Sequence, residues 1–146
     1  AAHGSPHPLA PIDVRLEDVR HTEITNASLV IMNLTLQFIP LEDRGDLIQR
    51  IHEGLLPGGA LLLSEKVRFD DPATQYWMTE LHHDFKRAQG YSDLEIAQKR
   101  QALENTLLPE TVAAHQQRLI NAGFAIAPVW FQCFNFVSLL AIKNPT

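Results

Sequence analysis

The chain has 146 residues, 45% of them hydrophobic, a formal net charge of -5 and one cysteine. That is enough apolar material for a core in one domain, or in part of a larger one. No Lys/Arg-rich run offers a surface for nucleic-acid phosphates, and the single Cys133 excludes an internal disulfide framework, which fits a reducing, cytoplasmic setting.

Residues 1–11, rich in Pro, His and Ala, read as a loop, disordered or the truncated edge of something longer. They lack the charged segment followed by an apolar run that marks a secretory leader. No apolar stretch approaches the roughly 20 residues that cross a bilayer. Ile12–Leu16 alternates apolar and polar residues and predicts a short strand. Ala27–Asn33 is a continuous β-leaning run, the pattern of a parallel strand covered on both faces. From Pro40 to Leu55, Leu47, Ile48, Ile51 and Leu55 recur at helical spacing with acids in the first turn. Pro57, Gly58 and Gly59 are expected to end that helix. Ala60–Lys66 reads as a second buried strand, so strand, helix and strand form a right-handed parallel crossover.

Asp71 and Pro72 are an N-cap acid and a first-turn proline. The helix they open places Trp77, Leu81 and Phe85 on one stripe, expected to be core, and Gly90 closes it. Ser92 and Glu95 have the spacing of a capping box for another helix. A third helix runs from Pro109 to Gly123. Residues 125–143 predict two strands broken near Asn135 and paired antiparallel, with Cys133 buried in their apolar run.

This order is the back half of a doubly wound α/β sheet. Residues 12–146 form a single, partial domain, with a helical insertion at about 72–107 and a terminal antiparallel hairpin. A Gly-rich loop after a first strand and a ribose-holding acid after a second are absent. The expectation is therefore a C-terminal part of a longer protein.

Several stretches together resemble one family: "LTLQFIP" (34–40), "LPGG" (56–59), "LSEK" (63–66), "HHDFKR" (82–87), "GY" (90–91), "QKR" (98–100) and "WFQCFNF" (130–136). They are similar to the carboxy-S-adenosylmethionine synthases, which have a class I S-adenosylmethionine-dependent methyltransferase-like, Rossmann-like fold. The resemblance implies a transferase that converts S-adenosylmethionine and prephenate into carboxy-S-adenosylmethionine and phenylpyruvate. It also implies a cytoplasmic role in tRNA wobble-uridine modification in which a partner enzyme, and not this protein, binds the tRNA. In such enzymes, prephenate sheds carbon dioxide and water, and the deprotonated sulfonium methyl captures the carbon dioxide. The protein's part would be positioning, exclusion of water and charge stabilisation.

The same resemblance implies cofactor-binding residues. Arg100 would hold the carboxylate that distinguishes carboxy-S-adenosylmethionine, because a planar guanidinium suits two-point contact. From the sequence alone, Arg100 shares a core-facing lane with Ile96, Leu103 and Leu107, and its guanidinium could instead reach past the core to Glu104. Asp18 and Val19 would hold the adenine; on spacing alone Asp18 is one of several loop acids, with Glu17 and Glu23. Asn33 would touch the methionine part, or simply form a turn. Ser64–Lys66 could line the pocket. His82 and His83, adjacent on a helix, cannot chelate one ion together, and no metal motif supports a site. There is no nucleophile–base pair, so no catalytic side chain is assigned. The chain is expected to be a homodimer with a small-molecule substrate, no membrane and no direct nucleic-acid contact. The alternatives are an ordinary small-molecule methyltransferase and an incomplete, non-enzymatic fragment.

Overall fold

A computed structural model of the protein describes residues 10–103 and 105–146. The expectation for residues 1–11 therefore falls, for 1–9, outside the described residues, as does Glu104. Strand β1 (Ala27–Asn33) is followed by helix α1 (Leu41–Gly54) and strand β2 (Leu55–Lys66). Helices α2 (Pro72–Ala88), α3 (Asp93–Leu103) and α4 (Val112–Asn121) come next. Three strands end the chain: β3 (Phe124–Ile126), β4 (Val129–Cys133) and β5 (Phe136–Lys143).

The crossover is as the hydrophobic runs require. β1 and β2 are parallel, with Leu29 beside Ala60 and Asn33 beside Ser64. β2 then pairs antiparallel with β5, from Ala60 opposite Ile142 to Lys66 opposite Phe136. β3 and β4 share the far edge of β5 as one strand interrupted around Pro128, whose carbonyl accepts from the Leu140 amide. The terminal region thus holds three strands where two are expected.

α1 and α4 pack together on the sheet. Leu47, Ile48 and Ile51 of α1 and Leu119 of α4 close over Leu61, Leu63 and Leu139 of β2 and β5. α1 ends at Gly54, earlier than Pro57, and β2 runs on through Pro57–Gly59. Gly54 is forced by contact: a Cβ there would lie 2.1 Å from the Ile24 carbonyl oxygen. The helix starts follow their local chemistry. Asp71 accepts from the Thr74 amide at 2.8 Å with Pro72 in the first turn, and Thr111 caps α4. Ser92 and Glu95 bond reciprocally, the Ser92 amide to Glu95 at 2.8 Å and the Glu95 amide to Ser92 at 3.3 Å.

Several sequence expectations are corrected. Ile12–Leu16 is not a strand: it has no pairing partner, and Ile12, Val14 and Leu16 are exposed. Alternation favours a strand only where a neighbouring strand receives its hydrogen bonds. The face of β1 that carries Leu29 and Ile31 has no layer over it among the described residues, so these two are exposed rather than covered, while Met32 on the other face is buried. Trp77, Leu81 and Phe85 do form one stripe, but it is open; Trp77 is 61% exposed. α2 meets the sheet through His82 instead, whose ring lies 5.1 Å from Phe136 and 6.0 Å from Phe134. Cys133 is exposed because β4 is an edge strand with no layer over it.

Candidate functional site

A cavity of about 580 Å³ opens beyond the carboxyl ends of β1 and β2, roofed by α2 and α3. Open α/β sheets bind ligands at that end of their strands. Leu34, just past β1, stands at its mouth with a left-handed backbone (φ 51°) and its amide on the Ser64 carbonyl. A leucine holds that conformation only where its surroundings enforce it.

A buried acid shapes the floor. Glu65, with no exposed surface, accepts the amides of Leu36 at 3.0 Å and Gln37 at 3.1 Å. Burial pushes its pKa up to about 7, against the lowering effect of those two amides and of Arg44. The Gln37 side chain then accepts from the Lys66 amide at 2.8 Å. This chain of bonds fixes where Lys66 enters the cavity. Of the expected trio Ser64–Lys66, Lys66 lines the space, Glu65 is turned into the wall, and Ser64 bonds Ser138 at 2.9 Å.

The lining is cationic. Lys66 from β2, Lys86 from α2 and Lys99 and Arg100 from α3 face the same space, with no carboxylate among the described lining residues. Burial lowers the Lys66 pKa, and the charges of Lys86 and Arg100 lower it further. Burial and Lys99 do the same to Lys86. His82, held neutral with a pKa near 4 by burial and by Lys86 and Lys66, adds no charge. Asn135, 2% exposed, lines the cavity with its side-chain Oδ1 unpartnered. The wall opposite is apolar, from Ile96, Leu103 and Leu107.

The predicted site residues fall into two groups. Arg100 lines the cavity, whereas Asn33 ends β1 beside the lining residue Leu34 and is not itself among the lining residues. Arg100 is exposed rather than set on a buried lane; Ile96 alone of α3 is buried. Asp18 and Val19 lie apart from the cavity lining. Asp18 caps a 3-10 turn at Val19–His21 and chelates the Arg20 guanidinium, at 2.7 Å to Nη2, which holds its carboxyl far below the usual range. Lys86, Lys99 and Asn135 were not assigned from sequence. The two lysines lie inside the "HHDFKR" and "QKR" motifs, but nothing in their spacing says that α2 and α3 fold toward β2. Among the described residues no group of three His, Cys, Asp or Glu could hold a metal ion, and no helix is long and apolar enough to cross a membrane.

The fold is that of the S-adenosylmethionine-dependent methyltransferases. The structure superposes on human N-acetylserotonin methyltransferase, solved in complex with SAM, with a TM-score of 0.60 at 18% identity, over 89% of this chain and 33% of that one. An O-methyltransferase family protein from Burkholderia thailandensis gives 0.60 at 18% identity, over 91% and 35%. Over the part it spans, the chain is similar to proteins named carboxy-S-adenosyl-L-methionine synthase. It is 57% identical over 136 residues to the enzyme so named from Citrifermentans bemidjiense, covering 93% of this chain and 56% of that protein. It is 60% identical over 133 residues to that of Trichlorobacter lovleyi, covering 91% and 54%. The chain thus spans about half the length of the curated relatives it matches. No family model matches it.

Proposed function

We propose that this chain is part of a carboxy-S-adenosyl-L-methionine synthase. The observation that carries the reading is identity of 57% over nearly the whole chain with proteins of that name. The cationic cavity at the strand ends supports it, because both substrates and both organic products carry carboxylates. In the reaction, S-adenosylmethionine and prephenate become carboxy-S-adenosylmethionine, phenylpyruvate and water: the carboxyl lost from the prephenate ring replaces one hydrogen of the sulfonium methyl. S-adenosylmethionine fits an open strand end with Asn33 beside it. Arg100 would read the new carboxylate, and Asp18 and Val19 the adenine, once Asp18 shares its carboxylate with Arg20.

The product would serve tRNA wobble-uridine modification in the cytoplasm through a second enzyme, and an acidic chain without a basic run suits a protein that leaves tRNA to that partner. The exposed stripe of Trp77, Leu81 and Phe85 supports a homodimer, since large apolar side chains in a row seek cover. Sedimentation of the full-length protein as a monomer at micromolar concentration would count against the dimer.

The test of the function is the mass of the small molecule released when the full-length protein is denatured, together with conversion of methyl-labelled S-adenosylmethionine in the presence of prephenate. Carboxy-S-adenosylmethionine in both assays is expected. Release of S-adenosylhomocysteine alone, with no prephenate-dependent product, would replace this reading with an ordinary methyltransferase.

A further inference from the structure

The turn that leaves β1 is held from two sides. Leu34, with its left-handed backbone (φ 51°), opens it, and the Leu34 amide donates to the Ser64 carbonyl at 2.8 Å. The Thr35 hydroxyl donates back to the Asn33 carbonyl at 3.0 Å. Glu65 of β2 takes the next two donors: its Oε1 accepts the Leu36 amide at 3.0 Å and its Oε2 the Gln37 amide at 3.1 Å. From the other side, Arg44 of α1 donates to the carbonyls of Gln37 at 3.1 Å and Ile39 at 2.9 Å. The Gln37 side chain returns to β2 by accepting the Lys66 amide at 2.8 Å. Leu34 and Lys66 line the cavity, and Asn33 immediately precedes Leu34. A strained backbone persists only while its surroundings over-determine it, and both oxygens of one carboxylate supply that constraint here.

A carboxylate is a costly group for this place. Glu65 has no exposed surface, and burial favours its neutral acid. The charge that opposes this is Arg44, which is itself paired with Glu110; Glu110 also takes Arg118 of α4, beside His115. Opposite Glu65 on β5 is the uncharged Val137, and Lys66, next on β2, points to the other face of the strand. A glutamine would fill the space without that cost, but it offers one acceptor oxygen where two amides wait. Ionised, Glu65 accepts from both amides. Protonated, one of its oxygens carries a hydrogen toward a donor.

We infer that Glu65 is a positioning residue for the strand-end site: its ionised carboxylate, by holding the Leu36 and Gln37 amides, fixes the Leu34 turn and with it Asn33 and the entry of Lys66, so that an S-adenosyl ligand binds the ionised form in preference. The ligand's name rests on the function proposed above; the clamp on the turn does not. With its pKa raised by burial to about 7, Glu65 is present in both forms near neutrality, and the ligand draws the population toward the ionised one. Binding therefore releases a proton, and affinity weakens as the pH falls through 7. The form that binds is also the form that burial makes costly to the fold.

The experiment is calorimetric titration of S-adenosylhomocysteine into the full-length protein between about pH 8 and about pH 6, for the wild type and Glu65→Gln, with the amide chemical shifts of Leu36 and Gln37 followed over the same range. His82 and His115, both held near 4, stay neutral throughout. Wild-type affinity is expected to weaken about tenfold from the upper to the lower pH, as the ionised fraction of a group titrating near 7 falls, and the two amides should titrate with it. Glu65→Gln is expected to bind about tenfold more weakly than wild type at the upper pH, from the loss of one hydrogen bond to a charged acceptor, and its affinity should no longer change with pH. Binding by Glu65→Gln within about twofold of wild type at the upper pH, or with the wild-type pH dependence, overturns the role. If Glu65→Gln fails to fold, the wild type decides: affinity that stays flat while the two amides titrate overturns the role, and a parallel change supports it. No binding by the wild type at either pH overturns the role together with the cofactor reading. Product formation is followed separately. Glu65-dependent binding without carboxy-S-adenosylmethionine supports the role and defeats the proposed reaction. Product formed by a wild type whose ligand affinity is flat defeats the role and leaves the reaction standing.

Discussion

Arg44 and Glu110, 66 positions apart, are joined at 2.6 Å, tying α1 to the segment that leads into α4. Arg44 has no exposed surface, and its other donors reach the carbonyls of Ile39, Gln37 and Leu108. Glu110 also takes Arg118 at 2.6 Å. One carboxylate therefore neutralises two guanidinium groups at a joint of three segments. Glu110→Ala leaves a buried charge unanswered and should cost about 3–5 kcal/mol. Urea unfolding should show a midpoint lowered in proportion; a change below about 1 kcal/mol would mean that solvent already screens the pair.

Glu65 makes stability depend on pH in an unusual direction. Its carboxyl binds a proton more tightly in the folded chain than in the unfolded one, with a pKa near 7 rather than 4.5. Its contribution is therefore complete below about pH 4.5 and is lost as the pH rises through 7. Glu65→Gln keeps an acceptor for one of the two amides and removes the titration. Between pH 4.5 and 7 the wild type should lose about 3 kcal/mol relative to the variant. Parallel pH profiles for the two proteins would show that Glu65 ionises freely in the fold.

His115 acts in the opposite sense. Burial holds its pKa near 4, below 6.5, although Glu110 favours the charged form. The ring contributes stability that is present above pH 6.5 and lost as the pH falls toward 4. Its ring-proton chemical shifts should stay flat between pH 8 and 5. A transition near 6.5 would place the ring in solvent.

Ser92→Ala should cost roughly 0.5–2 kcal/mol, felt mainly in α3, because it removes one half of the reciprocal cap. Amide exchange from Ile96 to Leu103 should quicken while exchange in α1 and β2 is unchanged. Uniform quickening would mean that α3 unfolds only with the whole chain.

Arg100→Ala in the full-length protein should weaken carboxy-S-adenosylmethionine by at least tenfold, equivalent to about 1.4 kcal/mol, and S-adenosylmethionine far less. Equal losses would make the residue structural. Arg100→Lys should recover part of the binding, because a point charge replaces charge but not a two-point fork.

What was legible in the sequence was whatever a few neighbouring residues decide. The Asp71–Pro72 start, the Ser92–Glu95 box and the β1–α1–β2 crossover all follow from spacing within one element. What failed needed knowledge of what lies opposite. Ile12–Leu16 has a strand's pattern but no strand beside it, and Trp77, Leu81 and Phe85 have a core stripe's spacing but remain exposed, although Phe85 meets Phe134 with ring centroids 5.7 Å apart. Arg44 is the reverse case: its charge suggests surface, yet it is buried with four hydrogen bonds to two segments, Gln37–Ile39 and Leu108–Glu110. At the cavity, the resemblance named Arg100, but Lys66, Lys86 and Lys99 became visible as its neighbours only when α2 and α3 were seen over the strand ends.

The pairing of β2 with β5 spans everything from Val67 to Asn135. Forming it closes a long loop before any of its contacts are gained, so chain topology makes this sheet a slow one to assemble. The entropy of that closure grows only logarithmically, by about 0.6 kcal/mol for each doubling of length. Once the closure is made, lengthening the segment that carries α2 and α3 adds little further cost. The roof over the cavity can therefore be lengthened or rebuilt with small effect on the floor, so a new ligand preference can evolve in α2 and α3 while β2 and β5 keep their register.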